Sequence, residues 1–162
     1  MKKYFIILPL CFLFLNCSKS SADGLKIQIT YTSGERSKDS HSTTEKFIID
    51  GLDALYSIHY SGRRGPKQND DTINCSFTQE QIDKINSIMT DKNLNIETSD
   101  LDENYKNNDY EYYSVITMTI TQGGNIIKLQ TNGDTKKLEG RPLYDNLLYL
   151  MNKIRSFINK CK

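Results

Sequence analysis

Apolar and polar residues alternate one by one along several segments of the chain, which is the periodicity of strands that bury one face. Five segments show this pattern: residues 25–32, the stretch around Phe47 and Ile49, and residues 54–61, 112–121 and 126–131. Residues 72–76 are a candidate for a further short strand. Because a sheet of such strands has one apolar face and one polar face, it needs a second layer over the apolar face only.

Two other segments carry apolar residues at helical spacing and can supply that layer. The first stripe follows Thr78 and Gln81, which have the spacing of a helix-capping box, and Asn93 is a suitable left-handed stop. The second begins at Pro142, a residue favoured in the first turn of a helix. The stripes consist of Ile82, Ile85, Ile88 and Met89, and of Leu143, Leu147, Leu150, Met151, Ile154, Phe157, Ile158 and Cys161.

These elements predict a single α+β domain over residues 25–162, in the order β-β-β-(β)-α-β-β-α. The sheet is expected to be mainly antiparallel, with both helices packed on one face. The polar, Ser-rich residues 33–43 are predicted to form a long connection between the first two strands. A length of 162 residues is that of one ordinary domain.

The chain begins with MKKYFIILPLCFLFLNC, in which Lys2 and Lys3 precede an apolar run over residues 4–15. This run is shorter than the roughly 20 residues of a membrane-spanning helix and is typical of a secretory signal peptide. Its end, at residues 13–17, resembles the lipobox of bacterial lipoproteins, with Asn16 in place of the usual Gly, Ala or Ser. An ordinary signal peptide with an incidental cysteine is the alternative.

The lipobox resemblance implies a signal peptide over residues 1–16 and a lipid-acylated Cys17 that begins a short tether over residues 17–24. It implies attachment to a lipid bilayer in the cell envelope of a diderm bacterium, and the outer membrane is the expected one, on its periplasmic or surface side. Lys plus Arg number 21 against 20 Asp plus Glu, and this balance argues against a nucleic-acid partner.

Of the four cysteines, Cys11 belongs to the signal peptide and Cys17 would carry lipid, which leaves Cys75 and Cys161. An even pair in an oxidising compartment favours a disulfide bond. Two separate buried thiols are the alternative. Because Cys161 continues the apolar stripe of the second helix, the bond is predicted to lie at the interface between the helices and the sheet.

Residues 100–111 are the best candidate for a metal site, namely a calcium site. Asp100, Asp102, Asn104, Asn108 and Glu111 stand at the oxygen-ligand positions of a calcium-binding loop. Two features oppose this interpretation. Tyr105 occupies the position where the loop needs Gly, and a strand follows where a helix should. A solvated loop without a cofactor is the alternative.

The uncovered face of the sheet is the predicted partner-binding surface. Its candidate residues are Leu55, His59, Tyr113 and Val115, since a small apolar group on a polar surface can form a binding centre. Arg63 and Arg64, in the turn after the third strand, could dock an anionic group. Cross-strand packing of the apolar residues is the alternative.

The function predicted from these features is that of a non-enzymatic envelope lipoprotein of the inhibitor, immunity or surface-binding type. Its expected partner is another macromolecule, namely a protein. The chain has none of the G-x-S-x-G, H-E-x-x-H, P-loop or dinucleotide-binding motifs of common enzyme classes. Two alternatives stay open: a protein that binds calcium or a small ligand through residues 100–111, and a small envelope hydrolase.

Overall fold

The computed structural model describes residues 24–36, 40–62, 70–102 and 110–161. Within these ranges the chain forms seven strands and three helices. The strands are β1 (Lys26–Glu35), β2 (His41–Asp50), β3 (Asp53–Gly62), β4 (Asp71–Ser76), β5 (Thr98–Leu101), β6 (Tyr112–Gln122) and β7 (Asn125–Asp134). The helices are α1 (Gln79–Asp91), α2 (Thr135–Leu138) and α3 (Pro142–Ile158).

The strands form one sheet in the order β4-β3-β2-β1-β6-β7-β5. Its neighbouring strands pair antiparallel, except that β5 runs parallel to β7. The predicted α+β class with a mainly antiparallel sheet is therefore confirmed. Among the described residues, no helix is both long enough and apolar enough to cross a lipid bilayer.

The one-by-one alternation places the apolar side chains of neighbouring strands on the same face. In β6, Ile116, Met118 and Ile120 are buried, whereas the residues between them are partly exposed. The strand register keeps these positions together, since Ile27 of β1 pairs with both Ile49 of β2 and Ile120 of β6. The buried side chains of α1 and α3 belong to the same hydrophobic cluster as this face, which is therefore the core side of the sheet.

The predicted boundaries of α1 and the predicted start of α3 are confirmed. The Thr78 hydroxyl accepts a hydrogen bond from the Gln81 backbone N–H at 3.3 Å, and the Gln81 side chain accepts one from the Thr78 N–H at 2.8 Å. After α1, Asn93 adopts a left-handed conformation with φ of 54°. Pro142 begins α3, where its missing N–H costs no helical hydrogen bond.

The predicted long connection over residues 33–43 is wrong. Strand β1 continues to Glu35 and β2 begins at His41, so that only residues 36–40 connect them. Polar side chains contact each other along this part of the hairpin, and the Thr32 and Thr44 hydroxyls lie 3.1 Å apart. Because both faces of the hairpin are polar here, the alternation that marks a half-buried strand is absent.

Strand β5 and helix α2 were not predicted, because each has only four residues and cannot show a period. Strand β5 is instead formed by its parallel pairing with β7, from Thr98 beside Leu129 to Leu101 beside Asn132. Helix α2 follows directly from β7 and is capped by Asp134, whose carboxylate accepts a hydrogen bond from the Lys136 N–H at 2.9 Å.

Candidate functional site

One end of the sheet brings together aromatic and charged side chains from four elements. Here the end of β1 pairs with the start of β6, with Gly34 beside Tyr113 and Glu35 beside Tyr112. The start of β2 and the junction of β7 with α2 lie at the same end, since Gly34 pairs with Ser42 and Tyr113 with Asp134. We call this region the tyrosine end; it comprises Gly34, Glu35, Arg36, His41, Tyr112, Tyr113 and Lys136.

Each tyrosine near the start of β6 has a cation over its ring. Arg36 lies 5.3 Å from the centre of the Tyr113 ring, and Lys136 lies 5.7 Å from that of Tyr112. Tyr110, which is buried, has Lys137 at 5.5 Å. Tyr112 is 42% exposed, so that one of these cation–aromatic pairs is available to a partner.

Gly34 allows Tyr113 to lie across the end of β1. A Cβ atom at residue 34 would stand 2.8 Å from the Tyr113 hydroxyl oxygen and 2.7 Å from the His41 carbonyl oxygen. Neither distance is compatible with a side chain, so only glycine fits without displacement. Gly34 lies in the segment predicted as a connection, where a glycine is ordinary, so the sequence alone gave no signal for this close approach.

Two open grooves flank the tyrosine end and share Glu35, His41 and Tyr113 in their walls. The first is completed by Ser40, Ser42, Ser61 and Gly62. The second is completed by Tyr31, Ser33, Gly34, Thr43, Tyr112, Thr135, Lys136 and Glu139. Both are open to solvent, the first with a mostly polar lining and the second with a mixed one, unlike the enclosed apolar cavities that bind most small molecules.

The charges at this end have both signs. His41 Nδ1 lies 3.6 Å from the Glu35 carboxylate, and Arg36 and Lys136 add positive charge. The carboxylates of Glu111 and Glu35 raise the pKa of Tyr112, whose hydroxyl is protonated at neutral pH in any case and can donate a hydrogen bond. A surface of aromatic groups and mixed charge is typical of the centre and rim of protein interfaces.

The predicted partner-binding residues lie on the outer face of the sheet but are not brought together. Tyr113 and Val115 belong to β6, whereas Leu55 and His59 belong to β3, with β2 and β1 between them. The His59 ring lies 2.7 Å from the Asp70 carboxylate, and the hydrogen bonds from His59 and from the Tyr60 N–H lower the pKa of Asp70.

Of those candidates, only Tyr113 belongs to the tyrosine end. Arg63 and Arg64 lie outside the described residues. Sequence reasoning missed Glu35, Arg36 and His41 because the polar residues 33–43 predict a connection rather than paired strands. It missed Lys136 because α2 is too short to be recognised.

The candidate calcium ligands are dispersed or engaged with protein donors. Asp100 lies in β5 and accepts a hydrogen bond from Arg141 Nη1 at 2.7 Å. Asp102 accepts one from the Tyr110 hydroxyl, and Glu111 is exposed before β6. Asn104 and Asn108 lie outside the described residues. In the part of the chain that the structure describes, no group of three or more His, Cys, Asp or Glu side chains could hold a metal ion.

Millimolar calcium is expected to leave the melting temperature of the protein unchanged, because Asp100 already forms an ion pair with Arg141. Calorimetry with and without calcium measures this directly, since a ligand that binds only the folded state raises its melting temperature. The matched control is Asp100→Ala. A calcium-dependent rise that disappears in Asp100→Ala would contradict the expectation and establish a calcium site.

Cys75 and Cys161 lie close enough for a disulfide bond, with their Cα atoms 5.9 Å apart. The prediction that Cys161 continues the buried stripe is wrong: α3 ends at Ile158, and Cys161 is exposed beyond it. Cys75 pairs with Ala54 on the core side of the sheet, whereas His59 of the adjacent strand is exposed on the other face. A nucleophile–base contact between Cys75 and His59 is therefore not formed.

The fold and this site together describe an α+β domain with an exposed aromatic end. No model of a known protein family matches the chain. No curated protein is similar to it in sequence.

Proposed function

We propose that the protein is a non-enzymatic lipoprotein, anchored in a diderm cell envelope through Cys17, and that its domain binds another protein through the tyrosine end. The observation that carries this proposal is the exposed Tyr112 with Lys136 over its ring, beside Tyr113 and Arg36. Tyrosine and arginine are among the residues that contribute most to binding in protein interfaces.

The position of the tyrosine end in the sheet supports this role. Strand β1 begins at Lys26, directly after the predicted tether, and reaches the tyrosine end after ten residues. At about 3.3 Å per residue, the two ends of this strand are about 30 Å apart. Residues 18–24 reach at most about 24 Å, even at the full length of the chain. In an anchored domain, the tether would hold the start of β1 near the bilayer. The tyrosine end, at the other end of this strand, then faces away from the bilayer.

The open outer face of the sheet and the positions of the two histidines support binding rather than catalysis. With both long helices on the core side, the outer face of the sheet is left open next to Tyr113. Covalent catalysis needs a nucleophile within hydrogen-bond reach of a base. In the described residues, His41 and His59 instead face the carboxylates of Glu35 and Asp70, at largely exposed positions.

Replacing Cys17 with Ala is expected to abolish acylation and to move the protein from the detergent phase to the aqueous phase. Without the thiol no acyl chain can be attached, and stable anchoring requires two or more chains. Metabolic labelling with a fatty-acid analogue and detergent-phase partitioning measure the two effects. If Cys17→Ala partitions and labels like the unchanged protein, the lipid anchor proposed here is wrong.

A photo-reactive phenylalanine analogue in place of Tyr112 is expected to cross-link one partner protein in intact envelopes. Tyr149 is a matched control, since it is 54% exposed on α3 and has Lys92 at 5.4 Å from its ring. The same analogue at Tyr149 should not cross-link that partner. Mass spectrometry of the cross-linked bands identifies the protein and the site.

Alanine substitutions at the same two positions test whether the contact of Tyr112 with the partner contributes to binding. Tyr112→Ala should weaken capture of the cross-linked partner at least about fivefold, as for an interface residue worth more than about 1 kcal/mol, and Tyr149→Ala should not. Both side chains are exposed, so that each substitution should change the free energy of unfolding by about 0.5 kcal/mol or less. Equal capture by the two variants would refute binding through the tyrosine end.

A further inference from the structure

The end of the sheet opposite to the tyrosine end is where the chain enters the domain from its predicted anchor. Leu25 lies between two hairpin turns, because β1 is flanked by β2 on one side and by β6 on the other. Its carbonyl oxygen accepts a hydrogen bond from the Gly51 N–H at 2.9 Å. We call this region the tether end; it comprises Leu25, Lys26, Asp50, Gly51, Leu52, Asp53, Thr121, Gln122, Gly123, Gly124, Asn125 and Ile126.

Each of the two turns at the tether end exposes one large aliphatic side chain. Leu52, in the turn between β2 and β3, is 43% exposed. Ile126, next to the turn between β6 and β7, is 59% exposed. Tight turns favour small and polar residues, and the described glycines at 51, 123 and 124 already supply the positive φ that these turns need. The conformation of the turns therefore does not explain why large aliphatic side chains are found at Leu52 and Ile126.

Charge at the tether end is largely compensated. Lys26 Nζ lies 2.8 Å from the Asp50 carboxylate, and the two residues pair across β1 and β2. Asp53 adds a negative charge beside Leu52 and accepts a hydrogen bond from the Ser76 hydroxyl at 3.4 Å. Attraction to anionic lipid therefore does not favour this end, and any contact with a bilayer depends on its apolar side chains.

The tether is short enough to hold both turns at the bilayer surface. Residues 18–24 reach at most about 24 Å when fully extended. The two turns lie within one or two strand spacings of Leu25, or about 5–10 Å to either side. An acylated Cys17 would therefore keep Leu52 and Ile126 within reach of the lipid headgroups.

We propose that the tether end rests on the lipid surface, with Leu52 and Ile126 inserted at the boundary between headgroups and acyl chains. This inference depends on the anchor in the proposed function and adds an orientation to it. The two contacts lie on opposite sides of the attachment point. They therefore keep the strands roughly perpendicular to the membrane, with the tyrosine end away from it.

Single tryptophan reporters test this contact, because the chain contains no Trp of its own. The reporters are Leu52→Trp and Ile126→Trp, and the control is Leu101→Trp. Leu101 is 45% exposed but lies toward the tyrosine end, where it pairs with Asn132. The lipidated protein is placed in neutral phosphatidylcholine vesicles, with or without bromine on the acyl chains near the headgroup.

Brominated lipid is expected to quench the reporters at Leu52 and Ile126 at least about twofold, which corresponds to insertion at the depth of interfacial side chains. The control at Leu101 should keep its fluorescence. All three positions are exposed, and equal melting temperatures of the variants would show that each is folded. If the two reporters are quenched no more than the control, the inference is overturned.

Flotation of the vesicles separates this result from the test of the anchor. Lipidated protein that floats while its reporters stay unquenched would leave the anchor intact and refute the contact. If acylation itself fails, the mature chain over residues 17–162 is attached through an N-terminal hexahistidine tag to nickel-chelating lipid in the same vesicles. Quenching of the two reporters above the control then supports the contact, and its absence refutes it.

Discussion

Replacing Cys75 or Cys161 with Ser is expected to lower the free energy of unfolding under oxidising conditions by up to about 4–5 kcal/mol. The two residues are separated by 86 positions and have Cα atoms 5.9 Å apart. A bond between them would remove much of the conformational freedom of the unfolded chain, and the loss grows with the length of the closed loop. Urea unfolding at equilibrium, followed by circular dichroism, measures the change.

The double variant and the reduced protein are the controls for this prediction. Cys75→Ser, Cys161→Ser and their combination should all be destabilised by the same amount, because either change removes the whole bond. The unchanged protein in reductant should resemble them. Peptide mapping without reduction should recover the two cysteine peptides joined. Free alkylation of both thiols in the native protein would contradict the prediction.

Replacing Arg155 with Leu is expected to cost about 3–5 kcal/mol of stability at neutral pH, since it leaves a buried carboxylate without its cation. Glu45 is only 9% exposed. Its Oε2 atom accepts hydrogen bonds from Arg155 Nη2 at 2.7 Å and from Arg155 Nε at 3.2 Å. The Tyr56 hydroxyl donates a third at 2.9 Å. Burial and this bond to Glu45 raise the pKa of Tyr56 to about 12, so that it stays a donor.

Two controls separate the loss of the ion pair from a general effect of substitution. Glu45→Gln combined with Arg155→Leu should recover part of the stability, because a neutral amide still accepts from Tyr56 without leaving a buried charge. Lys26→Leu breaks the exposed pair with Asp50 and should change stability by about 1 kcal/mol or less. Urea unfolding of all three variants would refute the prediction if Arg155→Leu cost no more than Lys26→Leu.

The features that could be predicted from the sequence are those set by residues close together in the chain. Alternation along residues 112–121 identified β6 because a strand turns successive side chains to opposite faces. The capping box at Thr78 and Gln81 identified the start of α1, since its two hydrogen bonds join residues three apart. Sequence reasoning failed for β5, whose four residues are a strand only because β7 lies beside them.

In the candidate site, too, local sequence patterns predicted some features, and contacts between distant residues decided the others. Tyr113 was identified on the outer face from its place in the alternation, and the register confirms that it stands beside Gly34. The residues that surround Tyr113 could not be identified from the sequence. Lys136 reaches the ring of Tyr112 only because α2 follows the last strand at that end of the sheet. Leu55 and Val115 look alike in sequence, yet strand order places two strands between them.

The sequence by itself determined the α+β class, the apolar face of the sheet and the stripes of the two long helices, because burial follows the local periods of strand and helix. The tertiary structure alone decided which distant residues meet. Glu45 and Arg155 are 110 positions apart, and nothing local to either shows that they form a buried pair. Strand order likewise decided that tyrosines and cations meet at one end of the sheet and that the chain enters at the other, since order depends on the packing of the whole chain.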